Sequence, residues 1–83
     1  MDRAAVARAV LAKLSGRAPS SLAAEMDLVA DLGIDSPKAL ELLVELEDAL
    51  GAQISDEAAA RMETVGDVLD YAASLGATDG RTA

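Results

Sequence analysis

The chain contains no cysteine, histidine, tryptophan or phenylalanine, and only one tyrosine, among its 83 residues. Without imidazole or thiol it lacks the usual general base near neutral pH, the usual transition-metal ligands and the best side-chain nucleophile. An independent enzyme is therefore not expected. Without cysteine there is no disulfide framework, which fits a reducing compartment. Long apolar runs are missing too. No stretch approaches the roughly 20 residues that span a bilayer, and no signal-peptide block opens the chain, so a soluble cytoplasmic protein without membrane insertion is expected. A chain of this size buries only roughly 60% of its extended surface, enough for one small core and one domain.

Positive charge is the next scarcity. Seven Lys and Arg stand against fifteen Asp and Glu, for a net charge of −8. Nucleic-acid binding depends on neutralising phosphates with Lys and Arg, so a nucleic-acid partner is excluded and a basic protein surface is favoured. The imbalance is uneven. Residues 1–20 hold Arg3, Arg8, Lys13 and Arg17 against Asp2, whereas residues 21–70 hold thirteen acids against Lys38 and Arg61.

What is present is helical periodicity. Asp2 caps a first helix carrying Val6, Val10, Leu11 and Leu14, which ends at Ser15-Gly16 with its basic residues expected to face solvent. Residues 17–35 have no long helical period, yet Leu22, Met26, Leu28, Leu32 and Ile34 are too apolar for a solvated linker. A loop of that length packs on the bundle, and such loops are often functional. A second helix runs from Ser36 to about Leu50, with Ser36 read as N-cap, Pro37 as first helical residue and Gly51 as left-handed stop. Leu42, Leu46, Ala39, Leu50, Leu43, Leu40 and Val44 share its apolar arc, while Asp48, Glu41, Glu45 and Lys38 lie opposite. Glu47 falls inside the apolar arc, close to Ser36 and Leu40 in angle, at the rim of a groove. Ser55 or Asp56 starts a third helix of little more than two turns, through Met62. Thr64 caps a fourth, with Val65, Val68, Leu69, Ala72 and Leu75 on one side, ending before Gly76; residues 77–83 read as a disordered tail. The predicted fold is all-α, a four-helix bundle with a long first loop and a short third helix.

Few constellations carry chemistry. Asp27, Asp31 and Asp35 are four apart, which does not match a calcium loop's ligands at positions 1, 3 and 5, and no other metal site is evident. Tyr71 reads as a packing residue. The sharpest local feature is Leu32-Gly33-Ile34-Asp35-Ser36, a serine where the packed loop meets the start of an acidic amphipathic helix.

With the acidic run Glu41-Leu42-Leu43-Val44-Glu45-Leu46-Glu47-Asp48, the stretch Ile54-Ser55-Asp56-Glu57-Ala58-Ala59 and the stretch Thr64-Val65-Gly66-Asp67-Val68-Leu69-Asp70-Tyr71, this feature resembles the acyl carrier protein family over nearly the whole chain. The resemblance implies a bundle of residues 1–76 that is not itself catalytic. It implies a 4′-phosphopantetheine arm on Ser36, beside Asp35, transferred from coenzyme A by a phosphopantetheinyl transferase. Acyl intermediates held as thioesters on that arm would pass between partner enzymes of fatty-acid, polyketide or other secondary-metabolite biosynthesis. An imported thiol suits a chain that has none, and a phosphodiester at a helix N-terminus meets free N–H groups and a favourable dipole.

Partner recognition is assigned by the same resemblance to Glu41, Glu47 and Asp48, reinforced by Glu45 and Asp35, against a basic docking surface on a ketosynthase, acyltransferase or acyl-loading enzyme. Such electrostatic steering speeds association without tight affinity. Val44, Leu46, Ile54, Ala59, Met62 and Leu69 are candidates to line an acyl cleft between the second, third and fourth helices, and each also reads as bundle core. Two departures flank the serine: Pro37 stands where the family usually has Leu or Met, and Lys38 where an acidic or small polar residue is common. Both point to a dedicated partner set, and the expected state is a monomer. A peptidyl carrier and a cofactor-free acidic interaction domain are the rival readings.

Overall fold

The computed structural model describes the backbone of residues 2–82 and the side chains of residues 2–75. Its elements are α1 (Arg3–Ser15), a short 3₁₀ turn (Pro19–Ser21), α2 (Ser36–Leu50), α3 (Asp56–Ala60) and α4 (Val65–Thr82). The all-α bundle with a long first loop is as expected. Among the described residues the one β-like pairing is a bridge between Asp27 and Thr64.

α1 forms where its caps predict, with the Asp2 carboxylate accepting the Ala4 N–H at 3.3 Å and Gly16 closing the last turn. It packs against both α2 and α4. Ala7 and Leu11 are completely buried at this junction, the small side chain allowing close approach and the large one filling the space between helices. Around them lie Leu46 of α2, Val65 and Val68 of α4, and Ile34 from the long loop, all fully buried. The loop therefore contributes to the core, as its apolar content predicts.

The basic residues of α1 do not simply face solvent. Arg3 donates to the Leu50 carbonyl at the end of α2 at 2.9 Å, and Arg8 donates to the carbonyls of Leu22 at 2.8 Å and Pro19 at 3.3 Å. Lys13 pairs with Glu45 at 3.0 Å. Just past the helix, Arg17 donates to the Asp31 carbonyl at 3.1 Å. Long cationic side chains reach neighbouring helix ends and turns, where unpaired carbonyls accept them.

Three main-chain bonds stitch the loop to the α3–α4 junction: Leu28 N–H to Glu63 C=O at 2.9 Å, Val65 N–H to Met26 C=O at 3.0 Å and Gly66 N–H to Ala24 C=O at 2.8 Å. Gly66 eases this approach, since a Cβ there would sit tightly, 3.1 Å from the Ala24 carbonyl oxygen and 3.3 Å from its Cβ, and Ala24 would have to give by a few tenths of an ångström.

α3 is shorter than its sequence pattern predicts. The N–H groups of Arg61 and Met62 bond three residues back, to Ala58 and Ala59, so the helix tightens and ends instead of completing a third turn. Ser55 is its cap, accepting the Ala58 N–H at 3.1 Å. α4 passes Gly76, where the sequence pattern ends it, and runs to Thr82. One glycine costs a helix only about 1 kcal/mol relative to alanine and does not by itself end it. The side chains of the expected tail, 77–83, lie outside the described residues.

Candidate functional site

The loop before α2 is held by its aspartates. Asp27 accepts the N–H groups of Val29 and Ala30 at 3.1 and 2.6 Å, and Asp31 accepts the Asp27 N–H at 2.7 Å. Among the described residues no group of acids is placed to hold a metal. The Gly33 N–H then bonds the Val29 carbonyl and the Ile34 N–H bonds that of Leu28, a reversal that requires φ of +70° at Gly33. That turn drives Ile34 into the core and delivers the next two residues, Asp35 and Ser36, to the surface.

Here the cap assignment changes. Asp35, not Ser36, is the N-cap of α2: its extended backbone carbonyl accepts the first helical bond from Ala39 at 2.7 Å, and its carboxylate accepts the Lys38 N–H at 3.4 Å. The loop fixes Asp35 in the extended conformation one residue earlier than the Ser-Pro pair implied. Ser36 is thereby the first helical residue, exposed, and its hydroxyl has no hydrogen-bond partner among the described residues. A serine released from capping is free to act as an acceptor of modification.

Beside it opens a cavity of about 350 Å³. Its walls are Leu28, Val29 and Ile34 of the loop, Ala39, Leu42 and Leu43 of α2, and Ala59 and Met62 from α3 and the turn after it, with Asp27 and Glu63 completing the lining. Ile34 and Ala39 flank Ser36 in sequence, so serine and cavity share one end of α2. Of the residues expected in a cleft, the structure brings Ala59 and Met62 to this cavity. Leu46 and Ile54 are in the core, Leu69 is half-buried against it, and Val44 is 58% exposed. The cavity lies toward the start of α2, and Leu28, Val29 and Ile34 of the loop and Ala39, Leu42 and Leu43 of α2 are apolar wall residues outside the expected set.

The acids of α2 divide into two kinds. Glu41 and Asp48 are exposed, with no ion pair or hydrogen bond from their carboxylates among the described residues. Glu45 is taken by Lys13. Glu47 is half-buried, and its carboxylate accepts the Ile54 N–H at 2.9 Å, tying the end of α2 to the approach of α3. Leu40 and Val44, placed in the apolar arc by sequence, are 67% and 58% exposed because they lie at its edge. They form an apolar ridge one turn from Ser36, next to Glu41 and Asp48.

At the far side of α3, Thr64 and Asp67 cap each other's backbone. The Thr64 hydroxyl accepts the Asp67 N–H at 3.2 Å, while the Asp67 carboxylate accepts those of Glu63 and Thr64 at 3.0 and 3.1 Å. The bond from Glu63, then that from Thr64, holds the Asp67 carboxyl below its ordinary value.

Residues 5–72 match the family described as the phosphopantetheine attachment site. The chain belongs to the acyl carrier protein family. It is 39% identical over 66 residues to the meromycolate extension acyl carrier proteins of Mycobacterium leprae and Mycolicibacterium smegmatis, a match over 80% of this chain. The match spans 57% of the M. leprae protein, just over half its length. Among solved structures, the acyl carrier protein from Enterococcus faecalis superposes with a TM-score of 0.72 at 35% identity, covering 89% of this chain and 98% of that one. The carrier family's covalently attached group is 4′-phosphopantetheine, and the end of α2 described above fits it: a surface serine with an uncommitted hydroxyl, at a helix N-terminus, next to an apolar cavity.

Proposed function

We propose that this chain is a non-catalytic acyl carrier and that Ser36 is the residue that bears its phosphopantetheine arm. The observation that carries the reading is the exposed, uncapped Ser36 hydroxyl at the first helical position of α2, beside the cavity. In the attachment step the Ser36 oxygen loses its proton and forms a bond to phosphorus, while the pyrophosphate of coenzyme A breaks and its nucleotide half leaves. The arm, once attached, supplies a thiol for acyl thioesters that the chain's own side chains do not offer. The new phosphodiester anion lies where the dipole and the free N–H groups of α2 favour negative charge.

The cavity is wide enough for part of an acyl chain and apolar enough to favour it over water. The exposed ridge of Leu40 and Val44, with Glu41 and Asp48 beside it, supports docking to enzymes with a basic surface around an apolar socket: the phosphopantetheinyl transferase first, then the enzymes that load and consume the acyl group. Among the described residues no helix is long and apolar enough to cross a membrane. The location that goes with this reading is cytoplasmic, and the pathway is fatty-acid or related acyl synthesis.

Incubation with a promiscuous phosphopantetheinyl transferase and coenzyme A, read by intact mass, tests it. One phosphopantetheinyl group is expected on the native chain and none on Ser36→Ala. An unchanged native mass sinks the carrier reading, and a gain that persists in Ser36→Ala refutes the site.

A further inference from the structure

The charge on α2 contains one misfit. Lys38 is exposed, and its ammonium has no acceptor among the described residues although the N-cap Asp35 and the helical Glu41 each lie three positions away. It sits in the first turn, where the helix dipole disfavours a cation. α3 and α4 fill the corresponding turn with acids, Asp56 and Glu57 in one and Asp67 in the other, whereas α2 has none. Arg3 also opens a helix, but its guanidinium is used, donating to the Leu50 carbonyl. Lys38 has no such structural task, and with Arg61 it is one of only two bases among residues 21–70.

Its position gives it another task. At roughly 100° per residue, Lys38 falls within about 80° of Glu41 and Asp48, on the side of those acids away from the Leu40–Val44 ridge. Glu45, on the same side as Lys38, is engaged by Lys13, and Glu47 is engaged by the Ile54 N–H. What remains for a partner is two acids, an apolar ridge, and one lysine at the end nearest Ser36.

Resting on the carrier reading, we propose that Lys38 is a specificity-determining residue. Its charge weakens docking of enzymes whose carrier-facing surface is uniformly basic and favours a partner that sets a carboxylate opposite it. A surface charge acts over about one Debye length, roughly 10 Å at 0.1 M salt, so Lys38 influences the group brought against the start of α2 and little beyond. Like charges brought together at an interface are the usual means of rejecting a wrong partner.

The test uses the full chain, coenzyme A and a phosphopantetheinyl transferase whose docking face is rich in Lys and Arg. Four chains are compared: native, Lys38→Glu, Lys38→Ala, and Arg61→Glu, which makes the same charge change on the turn after α3. Lys38→Glu is expected to raise kcat/KM for loading roughly threefold to tenfold at about 0.05 M salt, chiefly through KM, with Lys38→Ala between it and the native chain. The gain should shrink toward unity at about 0.5 M salt, and Arg61→Glu should change loading less than about twofold. An equal gain in Arg61→Glu would reduce the effect to net charge and overturn the proposal. Slower loading of Lys38→Glu would overturn it as well, by making Lys38 an attractive contact for coenzyme A phosphates or for the enzyme. If none of the four chains is loaded, the carrier reading fails and the role of Lys38 fails with it.

Discussion

The two sides of this bundle are held by different means. On one side α1 packs against α2 and α4 around the fully buried Leu11, Leu46, Val65 and Val68, with arginine side chains tying down neighbouring carbonyls. On the other, α3 has no buried residue of its own and is held by its flanks, through the Glu47 carboxylate on the Ile54 N–H and the Asp67 carboxylate on the N–H groups of Glu63 and Thr64. Ala59 and Met62, which wall the cavity, lie between those two attachments. Stability is concentrated in dispersion contacts on one side and in a few carboxylate hydrogen bonds on the other. The cavity therefore lies on the side with the fewer packing contacts.

The largest effect is expected at the core. Leu11→Ala should destabilise the whole bundle by about 2–5 kcal/mol, because a buried leucine leaves a cavity that the neighbours only partly fill. Urea denaturation at pH 7 would show it as a single shifted transition. A loss under about 1 kcal/mol would mean that the α1 junction is not the mechanical centre of the fold.

A smaller and more local effect is expected from Glu47→Ala, which leaves the half-buried Ile54 N–H without its partner. The loss is about 1–3 kcal/mol, and its signature is regional. Amide hydrogen exchange should accelerate at Ile54 and through α3 while α1 stays protected. Uniform acceleration across the chain would show that the two sides are one cooperative unit.

The smallest effect is one of pH. Because Asp67 titrates below its ordinary value of 3.8 in the folded chain, its contribution is fully present above that value and is lost as the pH falls through the lower folded value. Acid should therefore loosen the α3–α4 connection, and Asp67→Asn should flatten this part of the stability–pH curve. A steep acid limb unchanged in Asp67→Asn would assign it to the other carboxylates.

Much of this organisation is legible in the residues. The span of α2, the stop at Gly51, the caps Ser55 and Thr64, and the packing of the long loop follow from local rules that act within a few residues. The contacts that depend on distant chain were not legible. Nothing near Arg3 or Arg8 in sequence marks the Leu50 or Leu22 carbonyl as its target, and Glu47 reads as a groove-rim acid until Ile54 is seen beside it. The choice between Asp35 and Ser36 as cap was decided by the turn at Gly33, which sets the backbone conformation arriving at the helix. Helix periodicity carries no information about loop side chains, so the share of the cavity wall that Leu28, Val29 and Ile34 supply could not be read from it.

The three main-chain stitches between residues 24–28 and 63–66 have an evolutionary corollary. Amide and carbonyl groups are common to nearly all residues, so exposed side chains of both segments can be exchanged without undoing the attachment, whereas Asp27, Leu28, Thr64, Val65 and Gly66 each have a bonding or packing task of their own. Glu63, exposed where it faces the cavity, is thus open to mutation while its backbone stays put. The wall of the cavity can therefore vary at such exposed positions while the main-chain attachment that holds it stays the same.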